Sequence, residues 1–234
     1  MTNSMHITKR PLLFSALLCG LLLDPVRAAA QIWASKADAI ERLAPLLDLK
    51  PGSTVAEIGA GNGSVALAAA GKVGPAGHVY ATEIDPAALE KIRNRVSESG
   101  LANLTVVNSS SDDTRLPVGC CDAIYMIGVY HHFTAPMETD ASIYRALRPG
   151  GRLAVVDFFP AFLLKPWTPK GVPENRGGHG IPPPVLEDEL TRSGLKLVQV
   201  YDPWGSSWFL HNYCAVFIKP GAVANRDSAG ARAP

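Results

Sequence analysis

Glu57-Ile58-Gly59-Ala60-Gly61-Asn62-Gly63 is the stretch that decides how this chain folds. It follows a short apolar segment, Thr54-Val-Ala-Glu-Ile58, and leads into Ser64-Val-Ala-Leu-Ala-Ala-Ala70, whose composition suits a helix. Three glycines at alternate positions after a buried strand let the backbone come close to a ligand at a helix N-terminus, where free N–H groups point outward. Two nucleotide chemistries use such a turn. The dinucleotide fingerprint requires G-x-G-x-x-G, and Ser64 stands where its third glycine belongs. Glu57, just before the turn, repels a diphosphate but suits a ligand carrying an ammonium group and a sulfonium.

Outward from the turn, strand and helix alternate. After a Gly/Pro loop come a strand from His78 to Glu83, a polar-faced helix from Pro86 to Ser99 and a strand from Leu104 to Val107. A buried-type strand at 122–127, a helix at 135–147 and a strand at 152–157 follow, with Pro149-Gly150-Gly151 as a turn between the last two. Upstream, Ile32, Trp33, Ile40, Leu43, Leu46 and Leu47 recur at helical spacing. The alternation argues for an α/β fold, a doubly wound and mostly parallel sheet with helices on both faces. A helix at 184–193 and strand-like stretches at 195–201 and 208–218, joined by Asp202-Pro203-Trp204-Gly205, close it as a C-terminal antiparallel hairpin. That makes seven strands, without an internal repeat.

Four segments of the chain carry a family resemblance. Glu57 to Gly63 resembles the first motif, [D/E]-x-G-x-G-x-G, of the class I (Rossmann-like, seven-strand) S-adenosyl-L-methionine-dependent methyltransferases. Glu83-Ile84-Asp85 ends the second strand, where that family places the acid that grips the ribose hydroxyls. Ser111-Asp112-Asp113-Thr-Arg-Leu-Pro117 is similar to G-D-A-x-x-L-P, in which the acid contacts the adenine amino group. Leu147-Arg-Pro-Gly-Gly-Arg-Leu153 resembles the turn before the family's fifth strand. The resemblance spans roughly residues 35–218 and lies nearest the quinone and natural-product branch. It implies S-adenosyl-L-methionine as cofactor, held by Glu57, Gly59, Gly61, Gly63, Glu83, Ile84, Asp112, Ile127 and Gly128. Asp85, before Pro86, reads as a helix N-cap, Asp113 as a weaker rival to Asp112, and Asp122 as a structural residue of the sheet.

Methyl transfer from a sulfonium is an in-line displacement with a good leaving group, so the protein mainly positions the nucleophile and, where needed, removes a proton. The resemblance puts Tyr130, His131 and His132 beside the methyl group, and a histidine there is a natural base near neutral pH. Lining the pocket without proton transfer is the plainer alternative. Asp157 and His179 are further candidates. Residues 158–184, with Phe158, Phe159 and Trp167, read together with Trp204 as an apolar cap over the substrate, the alternative being ordinary packing on the sheet. The Asn/Asp-Pro-Pro-Tyr signature of many nucleic-acid and protein amino-methyltransferases is absent; Ile127-Gly-Val-Tyr130 stands there. Adjacent Cys120 and Cys121 cannot form a C-x-x-C zinc knuckle, and no metal is expected.

Composition bounds the rest. With 234 residues and 47% hydrophobic positions the chain suits one ordinary α/β domain and is too apolar for disorder. Twenty-two basic against 21 acidic residues leave no electrostatic footprint for nucleic acid, so a small-molecule acceptor, neutral and partly apolar, with oxygen, carbon or sulfur as nucleophile, is expected. Lys9 and Arg10, the apolar run from Pro11 to Leu23 and Ala28-Ala29-Ala30 have the order of a signal peptide. Residues 1–30 are therefore expected to export the domain (31–218) to the periplasm or to tether it to a membrane, with a cytoplasmic protein as the alternative. Residues 219–234 are expected to be a disordered tail. The sequence does not set the oligomeric state. Two rivals stand beside the enzyme: a non-catalytic protein that binds S-adenosylmethionine or S-adenosylhomocysteine, and a nicotinamide oxidoreductase, which Glu57 and Ser64 oppose.

Overall fold

The computed structural model describes residues 38–205 and 210–221. The proposed leader, residues 31–37 and the segment from 222 onward lie outside them. Seven strands, β1 (Thr54–Ile58), β2 (His78–Glu83), β3 (Leu104–Asn108), β4 (Cys121–Ile127), β5 (Leu147–Phe158), β6 (Lys196–Tyr201) and β7 (Asn212–Ile218), form one sheet in the order β3-β2-β1-β4-β5-β7-β6. β1 to β5 run parallel, and β7 is antiparallel to both neighbours. Five helices flank it: α1 (helical over 38–46), α2 (Ser64–Val73), α3 (Pro86–Ser99), α4 (Pro136–Ala146) and α5 (Pro183–Arg192).

Period-two alternation sorts each strand's side chains onto two cores. On β4, Ala123 and Tyr125 face α1, α2 and α3 with Val55 and Val79, while Ile124 and Met126 face α4 and α5 with Ile143, Leu186 and Leu190. Ile124, Met126, Ile143 and Leu186 are fully buried, and each such side chain contributes about 1.5–3 kcal/mol. Strand order reverses between β1 and β4. Both carboxyl ends open there on the same side, the place where sheets of this kind bind ligands.

Local chemistry sets the element ends as expected at two acids. Asp85 caps α3, its Oδ1 accepting from Ala87 N–H at 3.1 Å with Pro86 at the first helical position. Asp122 ties strands together, accepting from Thr54 N–H at 2.8 Å and pairing with Arg148 at 2.6 Å. Three expectations need correction. The Pro149–Gly151 turn belongs to β5, because Gly150 N–H donates to Lys219 O and Lys219 N–H to Gly151 O. Lys219 is accordingly not tail: its ammonium also donates to Tyr144 O and Leu147 O, each at 2.7 Å. Trp204 does not cover a substrate, since it packs against the α1 side of the sheet with the Arg42 guanidinium 3.9 Å above its ring. Among the described residues no helix is long and apolar enough to cross a membrane, and Cys120, Cys121 and Cys214 are free thiols.

Candidate active site

The glycine turn is built by backbone conformation. Gly59, Gly61 and Gly63 all have positive φ, at 68°, 58° and 77°, a region that costs other residues strain. Gly59 also admits Val129: a Cβ there would lie 2.7 Å from Val129 Cγ2. Glu83 at the end of β2 locks the turn. Its Oε2 accepts from Gly61 N–H at 2.8 Å, and Oε1 accepts from Ile84 N–H at 2.7 Å and Asp85 N–H at 3.2 Å. Beneath the turn, Glu57 is buried and accepts from Tyr125 O–H at 3.2 Å. Burial, and then the Glu57 charge, hold the Tyr125 phenol well above its ordinary pKa, so it stays a donor.

A cavity of about 390 Å³ opens at the carboxyl ends of β1, β2 and β4, a size that suits a nucleoside-scale ligand. Gly59 and Gly128 border it, Glu83 and Ile84 form one wall, and Ser109 to Ser111 another. Ile84 is 58% exposed, an apolar face that a flat ring would cover. The serine loop is held against α4: Thr139 Oγ1 donates to Ser111 O at 3.0 Å, and Thr114 N–H donates to Ser142 Oγ at 2.8 Å. A shallower hollow of about 400 Å³, lined by Asn62 of the glycine turn and by Lys91, Asn94 and Arg95 of α3, lies on the outer surface.

The expected cofactor residues divide accordingly. Gly59, Glu83, Ile84 and Gly128 line the cavity; Glu57, Gly61, Gly63 and Ile127 support it from behind. Asp112 is exposed at the rim, where its Oδ1 accepts from Ser110 O–H at 2.7 Å. Sequence reasoning missed Val129, Phe133, Thr134 and Thr139. Their places, directly after β4 and in the first turn of α4, were the available signal.

Of the three residues expected beside the methyl group, only His132 lines the cavity. Tyr130 is fully buried on the far side, its hydroxyl lying 2.8 Å from Asp140 Oδ2 and 2.9 Å from Glu189 Oε2 and sharing its one proton between them. Its phenol is raised well above the ordinary range, by burial first and then by the two carboxylates, so Tyr130 anchors the turn and does not reach a substrate. The same network holds Arg176, 3.0 Å from Glu189 and 5.0 Å from the Tyr130 ring centroid. Asp140 in it is pushed up to about 7, chiefly by burial.

His131 is buried and fixed: Asp157 Oδ2 accepts its backbone N–H at 3.2 Å, and Asp157 Oδ1 lies 2.8 Å from its Nδ1. The His131 and His132 ring centroids are 4.1 Å apart, and His179, from the segment before α5, brings its ring to 4.8 Å from His131 and 5.7 Å from His132. Burial, and then these two neighbouring imidazoles, lower the His132 pKa to about 4. His132 is therefore an uncharged acceptor at neutral pH, and a weaker base than an ordinary histidine. The expectation of no metal came from the absence of cysteine spacing; the fold instead gathers three imidazoles that sequence separates by up to 48 positions. The apolar cap also shifts: Phe158 packs on His131 and Phe159 stacks on His211, so apolar contact in the cavity falls to Ile58, Ile84, Val129 and Phe133.

Residues 55–151 match the family model described as a methyltransferase domain. The ubiquinone/menaquinone biosynthesis C-methyltransferase UbiE of Bordetella parapertussis is 33% identical over 123 residues, 52% of this chain and 46% of that protein. The nocamycin O-methyltransferase of Saccharothrix syringae is 29% identical over 127 residues, 54% of this chain and 45% of its own length. The matches thus span a little under half the length of these curated relatives. A SAM-dependent methyltransferase from Aquifex aeolicus superposes with a TM-score of 0.62 at 22% identity, covering 76% of this chain and 88% of that one, which shows the shared fold. With the acid-preceded glycine turn, the acid ending β2 and the antiparallel seventh strand, the chain carries over residues 55–151 a segment similar to the methyltransferase domain family, set in a fold shared with a solved SAM-dependent methyltransferase.

Proposed function

We propose that this chain binds S-adenosyl-L-methionine in the cavity between β1, β2 and β4 and transfers its methyl group to a small, neutral, partly apolar acceptor. One observation carries the reading: the cavity lies at the strand-order switch, bordered by Gly59 and Gly128 and walled by a Glu83 whose carboxylate already organises the glycine turn. The cofactor supplies a sulfonium-borne methyl group and leaves as a neutral thioether. Glu83 holds the ribose hydroxyls, Ile84 covers the adenine and Asp112 meets its amino group from the rim. Ile127 and Gly128 pass along the methionine portion, while buried Glu57 supplies negative potential beneath the turn. His132, an uncharged imidazole at the wall, borders the acceptor and helps to orient it.

The lining supports the acceptor class. Glu83 and His132 are its ionisable side chains; the rest are aliphatic, aromatic, hydroxyl-bearing or glycine. Among the described residues this wall brings no lysine or arginine, which favours a neutral ring with an oxygen, carbon or sulfur nucleophile over a nucleic acid. Of the two curated relatives, one is named for carbon and the other for oxygen methylation, and both outcomes fit this lining. Residues 1–30 are proposed to export or tether the domain, a cytoplasmic protein being the alternative.

Calorimetric titration of the full chain with S-adenosylhomocysteine, with NADH as control, tests the site; transfer of labelled methyl to hydroquinones, phenols and thiols tests the activity. Micromolar binding of S-adenosylhomocysteine with none of NADH, followed by transfer, is expected. A folded protein that binds neither overturns the cofactor reading, and binding without transfer to any acceptor leaves a non-catalytic cofactor-binding protein.

A further inference from the structure

We infer that His131, His132 and His179 form a site for a divalent transition metal of the zinc class, with one coordination position open toward the cavity. One ring nitrogen from each lies within 4.8 Å of the other two. Metal–nitrogen bonds of about 2.0–2.1 Å in a tetrahedron separate such nitrogens by about 3.4 Å, so the widest pair has to close by about 1.4 Å. His131 is held in place, so this closure falls on the His132 and His179 rings.

His131 is the fixed ring. It is 3% exposed, and its Nδ1 is engaged by Asp157 Oδ1 at 2.8 Å. With Nδ1 carrying the proton toward a carboxylate, Nε2 presents its lone pair, and this buried Nε2 has no hydrogen-bond partner. Leaving such an acceptor unsatisfied is costly; a metal ion would remove that penalty. A carboxylate behind a ligating histidine is also the usual support of a zinc ligand, orienting the ring and raising its basicity. Asp157 is held in turn by the N–H groups of His131 and Phe158.

The other two rings are brought in by independent elements. His132 follows on the same short turn, and its side chain reaches the cavity wall. His179 comes from a segment pinned on both sides: His179 O accepts from Ala161 N–H at 3.2 Å, and Ile181 N–H donates to Phe158 O at 3.0 Å. Gly180 makes the close approach there, with φ +116° and a hypothetical Cβ 2.8 Å from Phe158 O. Upstream, Arg176 is buried against Glu189. Borderline-soft zinc suits three neutral imidazoles, and three protein ligands plus an open position is the arrangement of catalytic rather than structural zinc. Metal binding does not depend on methyl transfer. If the proposed activity holds, a metal held there would offer its open position to the acceptor's hydroxyl or thiol and, as a Lewis acid, would favour its anion, the proton passing to solvent.

The test uses tag-free full-length protein stripped with chelator and titrated with Zn²⁺ in a metal-buffered solution, and with Co²⁺ followed by visible absorption. One equivalent of Zn²⁺ is expected, with Co²⁺ giving tetrahedral d–d bands and no thiolate-to-metal charge transfer, which separates the site from Cys120 and Cys121. His179→Gln and His132→Asn are each expected to weaken Zn²⁺ at least about 100-fold, and Asp157→Asn about 10- to 100-fold through His131 orientation, with folding verified by circular dichroism. Both histidine variants retain His131 with its Asp157 and Phe158 contacts, so loss of fold is not the anticipated failure. Affinity unchanged in His179→Gln and His132→Asn, or a thiolate charge-transfer band, overturns the inference. So does the absence of stoichiometric binding. None of these results bears on S-adenosylhomocysteine titration, so the two readings fail separately.

Discussion

Glu83 gives the most direct quantitative test of the cofactor site. Its carboxylate has about four lone-pair positions, and three are occupied by the N–H groups of Gly61, Ile84 and Asp85. A ribose diol needs one acceptor on each oxygen. Oε2 has one position left; Oε1 gains one when the 3.2 Å contact from Asp85 is released, the longest of the three. The diol therefore gains one new charge-assisted bond and one exchanged for a weak contact, together about 2–3 kcal/mol. Glu83→Ala is expected to raise the S-adenosylhomocysteine dissociation constant roughly 30- to 150-fold. Glu83→Gln separates charge from shape. The amide offers a single oxygen, so its NH₂ must face either Gly61 N–H or the Ile84 and Asp85 N–H pair, donor against donor. A loss of about 1–2 kcal/mol, roughly 5- to 30-fold, follows with little change in thermal stability, because these N–H groups can turn to water. Calorimetric titration of both variants, with unfolding curves as a control on the fold, makes the comparison. Affinity within twofold of wild type for Glu83→Gln would refute the reasoning, since it would mean that the carboxylate neither sets the turn nor meets the ligand.

Two further perturbations test the surroundings. Gly59→Ala adds a Cβ 2.7 Å from Val129 Cγ2 at a φ of +68°; left-handed strain of about 1–2 kcal/mol plus overpacking of about 1–3 kcal/mol should lower the unfolding midpoint. Val129→Ala in the same chain should restore only the packing part, and a Gly59→Ala midpoint equal to wild type would contradict the close approach. Asp140 is held at about 7 against 3.8 for the free side chain, so the folded state favours its protonated form. That contribution is complete below pH 3.8 and is lost as pH rises through 7. Relative to Asp140→Asn, which cannot ionise, wild type should lose about 2.5 kcal/mol of unfolding free energy between pH 5 and pH 8. Urea melts of both proteins across that range give the difference directly, and parallel pH curves would show that Asp140 is ionised throughout.

The features legible in sequence share a property: their chemistry is complete within a few residues. A glycine turn after an apolar strand, an Asp before Pro86, and the alternation of apolar strands with helices each need only local geometry, and the turn at Gly59, the cap at Asp85 and the sheet stand where local reasoning puts them. The misplaced features depend on partners far along the chain. Tyr130 looks like a pocket residue until Asp140 and Glu189, 10 and 59 positions away, take its hydroxyl. The turn at Pro149–Gly151 looks like a strand boundary until Lys219 pairs with it. Trp204 reads as a cap until Arg42 of α1 stacks on its ring. The histidines follow the same logic in the opposite direction. His131 and His132 by themselves suggest a base, and His179 by itself suggests very little. Asp157 then fixes one ring, β5 and α5 pin the segment that carries the third, and mutual proximity with burial keeps His132 uncharged at neutral pH. A lone histidine near pH 7 shuttles protons; three imidazoles gathered around an orphaned, buried nitrogen are better suited to hold a cation. The chemistry at the methyl end of the cavity is thus a property of the folded cluster, which no single member's residue type conveys.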